Sequence, residues 1–183
     1  MKLRLTSLLL ILASGFAMMA CIDQDSTFQG ILEKDKKAIE EYLAANPLTG
    51  PKDFVDELTG YRVIWQQLSN SGRMVAPGDT VRVNYTGKFL TNKVFDTTIE
   101  TVARANNIFS ESRQYGPIRY VQGRRQLIEG FETAVAIMEV GDKATVLMPS
   151  AFAYGPAGRD NIAPNTPLIF EIEFVEIKKG PQN

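Results

Sequence analysis

The pattern of hydrophobic and polar positions divides the chain into three parts. Residues 5–20 are uncharged and mostly apolar, residues 28–46 repeat apolar positions every three or four residues, and residues 61–179 hold several short alternating runs. A repeat of three to four is typical of an amphipathic helix, whereas alternation is typical of half-buried strands. The pattern therefore predicts an apolar leader, one amphipathic helix and a β-rich domain.

The part of the chain after residue 60 is predicted to fold as an α+β domain. One short helix is expected at residues 128–140, with Phe131 on its apolar face. Strands are expected at residues 61–68, 81–85, 143–148 and 168–177. Several strands and one helix favour an antiparallel sheet that is covered on one face.

Two segments show neither the helical repeat nor the alternation that is typical of strands. Residues 48–60 contain Gly50, Pro51 and Gly60, which is the composition of a turn or linker. Residues 97–115 form a long polar stretch without periodicity, and loops of this length are often functional or mobile. The first segment is expected to be a linker and the second a loop.

Residues 1–20 have the pattern of a secretory signal peptide. Lys2 and Arg4 supply a positive end, and the apolar stretch that follows ends just before Cys21, the only cysteine of the chain. The stretch is shorter than the ~20 residues that span a bilayer comfortably. The sequence MMAC at residues 18–21 resembles a bacterial lipobox, in which the cysteine becomes lipidated after cleavage.

The expected organisation follows from these segments. Residues 1–20 are interpreted as a lipoprotein signal peptide, residues 21–60 as a tether and N-terminal helix, and residues 61–179 as the functional domain. The protein is then expected to be exported and membrane-anchored through a lipid on Cys21, in the periplasm or outer membrane of a bacterial cell envelope. The alternative is an uncleaved anchor, or an ordinary signal with an incidental cysteine.

The composition removes several kinds of chemistry. The chain has no histidine and one cysteine, which excludes histidine-dependent triads, imidazole bases and Cys/His zinc sites. A formal net charge of -1, without a basic stripe, argues against nucleic-acid binding. We therefore expect no metal and no cofactor, and chemistry that is noncovalent or that uses carboxylates or tyrosines.

Ordered motifs between residues 61 and 178 resemble the FKBP family of peptidyl-prolyl cis-trans isomerases. Each motif alone is weak, but they follow one another in the order that the family shows. The motifs are VRVNYTG at 81–87, VFDTT at 94–98, GPIRY at 116–120, LIEGF at 127–131, MEVGDK at 138–143, MP at 148–149, AYG at 153–155 and IAPNTPLIF at 162–170.

The resemblance implies an α+β fold in which a twisted antiparallel sheet wraps around a short central helix, with an N-terminal helical extension here. It also implies a prolyl-binding pocket with an aromatic floor at the position of Phe131. Further substrate-binding residues are implied at Phe95, Ile118, Leu127, Ile162 and Phe170. Ile118 stands where many members carry phenylalanine, and Ala163 replaces the first proline of a turn over the pocket.

Four residues are implied as catalytic groups. The Tyr154 hydroxyl and the backbone N–H of Ile128 would donate hydrogen bonds to carbonyls of the bound peptide. Asp96 would accept a hydrogen bond from Tyr85 at the pocket edge. A basic residue pairs with this aspartate in some members, and the 97–115 segment offers two candidates, Arg104 or Arg113.

The implied activity is isomerisation of X–Pro bonds in exported proteins. Rotation about a peptide bond faces a barrier of ~18–20 kcal/mol, because resonance makes the C–N bond partly double. The twisted transition state loses that resonance and is less polar, so a dry aromatic pocket favours it over the planar amide. Expected partners are proline-containing polypeptides and macrolide inhibitors.

Two rival interpretations remain open from the sequence. The domain could be an FKBP-fold chaperone or a structural envelope lipoprotein with little isomerase activity, and its aromatic residues could be ordinary core residues. The helix at 28–46 could pack on its own domain. Alternatively it could form a homodimer or contact clients, because some exported isomerases of this kind dimerise through N-terminal helices.

Overall fold

The computed structural model describes residues 27–181. The predicted signal peptide, the lipidation site Cys21 and most of the predicted tether lie outside these residues. Within them, no helix combines the length and the hydropathy that crossing a membrane requires.

The molecule is an α+β domain with one antiparallel sheet. The helices are α1 (Phe28–Ala45), α2 (Glu100–Ala105) and α3 (Glu129–Ala136). The strands are β1 (Lys52–Val55), β2 (Arg62–Gln67), β3 (Thr80–Phe89), β4 (Val94–Thr97), β5 (Ile118–Val121), β6 (Lys143–Met148) and β7 (Leu168–Lys178). Their order is β1-β2-β6-β7-β3-β4, and β5 also pairs with β3. The predicted fold class is confirmed.

The two faces of the sheet follow from alternation along the central strands. On β7, Phe170, Ile172 and Phe174 point into the main core, where they pack with Phe131 of α3. Ile169, which directly precedes Phe170, belongs to a second apolar cluster on the opposite face. Successive residues of a strand point to opposite faces, so both faces of this sheet are covered. Helix α3 packs on the face of the sheet that forms the main core, and helix α1 packs on the opposite face.

The N-terminal helix packs on its own domain. Ile39, which is 2% exposed, lies in the second cluster with Ile64, Leu147 and Ile169 of the sheet. The helix ends at Ala45, and the backbone N–H of the next residue, Asn46, donates to the Tyr42 carbonyl. Pro47 follows, and the residue before a proline disfavours the α conformation.

Three elements differ from the sequence-based expectation. The interpretation of residues 48–60 as a linker was wrong in part, because β1 lies there and pairs antiparallel with β2. The 97–115 segment was expected to be a loop, but it contains α2. The central helix is also shorter than the predicted 128–140, since it ends at Ala136. The domain boundary at residue 61 stays a prediction.

Candidate active site

A cavity of about 300 Å³ opens between α3, β3, β7 and the loops around them. Its lining joins residues that are far apart in sequence, because β3 and β7 are neighbours in the sheet and α3 packs across both. The lining residues are Tyr85, Ile118, Arg125, Gln126, Leu127, Ile128, Phe131, Tyr154, Arg159 and Phe170.

Three aromatic rings form the inner part of the cavity. The Phe131 ring meets the Tyr85 ring edge-to-face, with centroids 5.6 Å apart, and meets the Phe170 ring at 5.5 Å and 89°. Edge-to-face contacts of this kind fix the mutual orientation of rings. Phe131 is 3% exposed and Phe170 is 4% exposed, so together they present a rigid apolar surface.

Glu132 of α3 holds the loop that precedes the helix. One of its carboxylate oxygens accepts hydrogen bonds from the backbone N–H groups of Gln126 and Leu127, at 2.9 and 3.1 Å, and the other accepts from Gly123 at 3.1 Å. These bonds place Leu127 and Ile128 at the cavity. The N–H of Ile128 donates to no group among residues 27–181, and it is therefore free to donate to a ligand.

Tyr85, Asp96 and Arg113 form a polar chain beside the cavity. The Tyr85 hydroxyl donates to one oxygen of Asp96, and the Arg113 guanidinium donates to the other, which also accepts from the Thr97 N–H at 2.9 Å. Burial and the Asp96 carboxylate raise the pKa of Tyr85. Burial by itself would lower the pKa of Arg113, but its hydrogen bonds to and the charges of Asp96 and Tyr85 together outweigh that effect, and the pKa is raised. Tyr85 therefore stays neutral and Arg113 stays charged.

Tyr154 presents its hydroxyl to solvent at the cavity. The residue is half-buried, and burial raises its pKa, so the hydroxyl keeps its proton. Within the described part of the chain, that hydroxyl has no hydrogen-bond partner. Tyr154 and Ile128 thus provide two unused donors near an apolar floor.

Comparison with known proteins identifies the family. The family model described as FKBP-type peptidyl-prolyl cis-trans isomerase matches residues 71–175, which is more than half of the chain. The chain belongs to the FKBP family.

Curated relatives agree with this assignment. The chain is 45% identical over 82 residues to the short-type peptidyl-prolyl cis-trans isomerase of Methanocaldococcus jannaschii, a match that covers 45% of this chain and only 52% of that protein. It is 34% identical over 103 residues to FK506-binding protein 1B of Aspergillus fumigatus, covering 56% of this chain and 81% of that protein.

Solved structures show the same fold. The crystal structure of FkpA from Escherichia coli matches with a TM-score of 0.60 and 24% identity, over 81% of this chain and 60% of that one. A peptidyl-prolyl cis-trans isomerase from Pseudomonas syringae matches with a TM-score of 0.59 and 23% identity, over 85% of this chain and 98% of that one.

The structure brings together most of the residues that the FKBP resemblance singled out. The predicted residues that line the cavity are Tyr85, Ile118, Leu127, Ile128, Phe131, Tyr154 and Phe170. Phe95 does not line it, but packs against Phe170 and Phe89 with ring centroids 5.7 and 5.1 Å away. Phe95 therefore supports the aromatic wall and does not form it.

Two further predicted residues also lie off the cavity surface. Asp96 contacts the cavity only through Tyr85. Ile162 is 6% exposed and belongs to the core, where its backbone pairs with that of Arg159 through two hydrogen bonds of 2.9 and 2.7 Å. Ile162 thus anchors the turn that carries Arg159. Of the two arginine candidates, the structure pairs Arg113 with Asp96, whereas Arg104 pairs with Glu100.

Three lining residues were missed from the sequence of this FKBP domain: Arg125, Gln126 and Arg159. Two of them directly precede the LIEGF motif, and the third lies between the AYG and IAPNTPLIF motifs. Their places between motifs could have indicated them, but neither periodicity nor composition distinguishes a rim residue from any exposed polar residue.

The arrangement suits noncovalent binding of an apolar ring. No group of three or more residues with metal-ligand side chains occurs within residues 27–181. The cavity offers an aromatic floor, two free donors and neutral tyrosines. Such a site can hold a ring in apolar surroundings while it fixes the adjoining carbonyls.

Proposed function

We propose that this protein is a peptidyl-prolyl cis-trans isomerase that acts on proline-containing polypeptides. One observation carries the proposal: a chain of the FKBP family presents a cavity floored by Phe131 and Phe170, with unused donors at Ile128 and Tyr154. Relatives that match more than half of this chain are named for FK506 binding, and a relative that matches 45% of it is named as a peptidyl-prolyl cis-trans isomerase.

The proposed mechanism is selective binding of the twisted amide. A proline ring fits against the aromatic floor, and the Ile128 N–H and the Tyr154 hydroxyl hold flanking carbonyls while the X–Pro bond turns. The imide carbonyl is less polar in the twisted state, because amide resonance is lost. Apolar surroundings therefore raise the free energy of the planar state relative to the twisted state. Each ~1.4 kcal/mol of this preference gives a tenfold rate increase.

A proline-limited refolding assay tests the proposal. Added protein should accelerate the slow phase, whose uncatalysed time is tens to hundreds of seconds. An FK506-type macrolide should abolish the acceleration, because it would occupy the same cavity. An unchanged refolding rate would contradict the proposal, and suppressed client aggregation alongside it would favour the chaperone alternative.

Export and lipid anchoring are also proposed. Support comes from the positive end, apolar stretch and MMAC sequence of residues 1–21. The protein would then act in a bacterial cell envelope, held to a membrane through Cys21. Metabolic labelling with a radioactive fatty acid should mark the protein and leave Cys21→Ser unlabelled. Equal labelling of both would contradict the proposal.

A homodimer is a further proposal for the N-terminal helix. Phe28, in the first turn of α1, is 70% exposed, although Leu32 and Ile39 farther along the same face of the helix are buried. Sedimentation velocity on the protein and on Phe28→Ser should show a dimer that the substitution weakens. Two monomeric species would contradict it.

A further inference from the structure

The cavity is lined by positive side chains and by no carboxylate. Arg125 and Arg159 belong to the lining, and the other ionisable lining residues are Tyr85 and Tyr154, both of which have raised pKa values because of burial. Asp96 lies close by, but the negative charge of its carboxylate is balanced by an ion pair with Arg113. The described cavity therefore carries two positive charges and no negative charge at neutral pH.

Arg125 has no carboxylate partner. Elsewhere in the domain, Arg62, Arg82 and Arg104 each pair with an acidic side chain. No ion pair involves Arg125 or its neighbour Arg124 within residues 27–181. Its guanidinium is therefore available for an acidic group that the protein itself does not supply.

The backbone holds Arg125 in place. Its φ is 52°, in the left-handed region that few residues other than glycine adopt. The next two residues are fixed by hydrogen bonds from their N–H groups to Glu132, at 2.9 and 3.1 Å. The fixed backbone keeps Arg125 at the cavity, so that binding of a partner needs no rearrangement of the main chain.

Arg159 adds a second cation on the Tyr154 side of the cavity. Its guanidinium carbon lies 5.6 Å from the centre of the Tyr154 ring. Its one ion pair, to the adjacent Asp160, is long at 3.6 Å, and the two side chains are 66% and 85% exposed. Exposed pairs of this kind contribute little free energy, so Arg159 can exchange Asp160 for a substrate carboxylate.

We infer that the site selects proline segments that carry an aspartate or glutamate directly beside the proline. This inference rests on the proposed isomerase function. A guanidinium offers a planar set of donors that matches a carboxylate. Since both arginines are solvent-exposed, the expected preference is modest, about 2- to 5-fold in kcat/KM for glutamate over glutamine, and it should decrease in high salt.

The test compares peptides that differ in one side chain. One set carries glutamate, glutamine or lysine before the proline, and a second set carries them after it. The protein should turn over the glutamate peptide fastest in at least one set. Adding 0.5 M salt should reduce the glutamate-to-glutamine ratio, because salt screens exposed charges and shortens the Debye length (about 3 Å at 1 M). Arg125→Gln and Arg159→Gln should each lower the glutamate-to-glutamine ratio.

Arg82→Gln is the matched control, because it removes the same charge from an ion pair with Glu176 outside the cavity. Its glutamate-to-glutamine ratio should equal that of the unsubstituted protein. Equal turnover of glutamate and glutamine peptides in both sets would overturn the inference and leave the isomerase proposal standing. No turnover of any peptide would overturn both.

Discussion

Two tyrosines of the main core region show how the surroundings of one residue type decide its role. Tyr120 is 4% exposed and its hydroxyl donates to the Gln122 side chain at 3.0 Å. The Tyr154 hydroxyl has no partner among residues 27–181 and lies at the cavity. The first hydroxyl is therefore part of the folded core, whereas the second is available to a bound peptide.

We expect Tyr154→Phe to reduce activity without loss of stability. Removing one donor to a substrate carbonyl should lower kcat/KM about tenfold, since a hydrogen bond of this kind contributes about 1 kcal/mol and more in dry surroundings. The free energy of unfolding should stay the same, because the hydroxyl bonds to no described group of the protein. Isomerase kinetics and urea unfolding measure the two effects.

Tyr120→Phe is the control for this prediction. It should lower the free energy of unfolding by about 1–3 kcal/mol, because the buried Gln122 oxygen loses its donor. Its kcat/KM should not change, since Tyr120 does not line the cavity. Equal kcat/KM for Tyr154→Phe and the unsubstituted protein would show that the hydroxyl takes no part in turnover.

The contact between Tyr85 and Asp96 could be predicted from the sequence, but the arginine that pairs with Asp96 could not. Tyr85 and Asp96 sit in recognisable motifs on β3 and β4, which pair in the sheet. Arg113 lies in an irregular segment, and its position depends on how residues after α2 return to the sheet. Irregular backbone has no period, so nothing in the sequence distinguishes Arg113 from Arg104.

At the scale of elements, α1 is tied to the segment that leads to Tyr154. Asp35 on this helix is 3% exposed and accepts hydrogen bonds from the backbone N–H and hydroxyl of Ser150, at 2.8 and 2.5 Å. Burial raises the pKa of Asp35, although both bonds to Ser150 act against it. Ser150 is itself 1% exposed, so each group depends on the other for its hydrogen bonds.

We expect Asp35→Ala to lower the free energy of unfolding by about 1–3 kcal/mol, because two buried donors of Ser150 would lose their acceptor. Ser150→Ala should cost less, about 0.5–1.5 kcal/mol, since its N–H keeps Asp35 as acceptor. The double variant should then be less destabilised than the sum of both. Urea unfolding at neutral pH measures all three.

Glu40→Ala is the matched control on the same helix, because Glu40 is exposed and surface substitutions change stability little. If Asp35→Ala and Glu40→Ala have equal free energies of unfolding, the hydrogen bonds between Asp35 of α1 and Ser150 contribute nothing measurable to stability.

The short elements α2 and β1 could not be predicted from the sequence, for physical reasons. The helix α2 has six residues, and within it only Ala103 is buried, so no apolar repeat exists to detect. The strand β1 has four residues, none of them fully buried, at the edge of the sheet. Its existence depends on pairing with β2, and Gly50 just before it lies so close to Trp65 that a Cβ there would be 1.7 Å from the Trp65 carbonyl oxygen. Such close approach is a property of the folded molecule.

At the scale of the whole molecule, Asp79 joins the turn before β3 to the segment that follows β7. Its carboxylate lies in the turn before β3 and is almost fully buried. It accepts hydrogen bonds from the Ala76 N–H, the Lys179 ammonium and the Gly180 N–H, each at 2.9 Å. The hydrogen bond from Lys179, followed by that from Gly180, lowers the pKa of Asp79 to about 2.

Because the pKa of Asp79 is lowered, the stability of the molecule depends on pH in the acidic range. A carboxylate whose pKa is lower in the folded state than its ordinary value of 3.8 stabilises the fold above that value. The stabilisation is lost as the pH falls from about 4 to about 2, because protons then bind the unfolded chain first. The size should be about 1–2 kcal/mol, reduced because the Lys179 side chain is 59% exposed to solvent.

Asp79→Asn should therefore remove about 1–2 kcal/mol at pH 7 and almost nothing at pH 2, so that its stability changes less with pH than that of the unsubstituted protein. Glu176→Gln makes the same charge change in an exposed pair with Arg82 and should leave the pH profile nearly unchanged. Urea unfolding at pH 7, 5, 3 and 2 measures the three profiles. A constant difference between Asp79→Asn and the unsubstituted protein at every pH would mean that the shape of the side chain, and not its charge, joins the turn before β3 to the end of the chain.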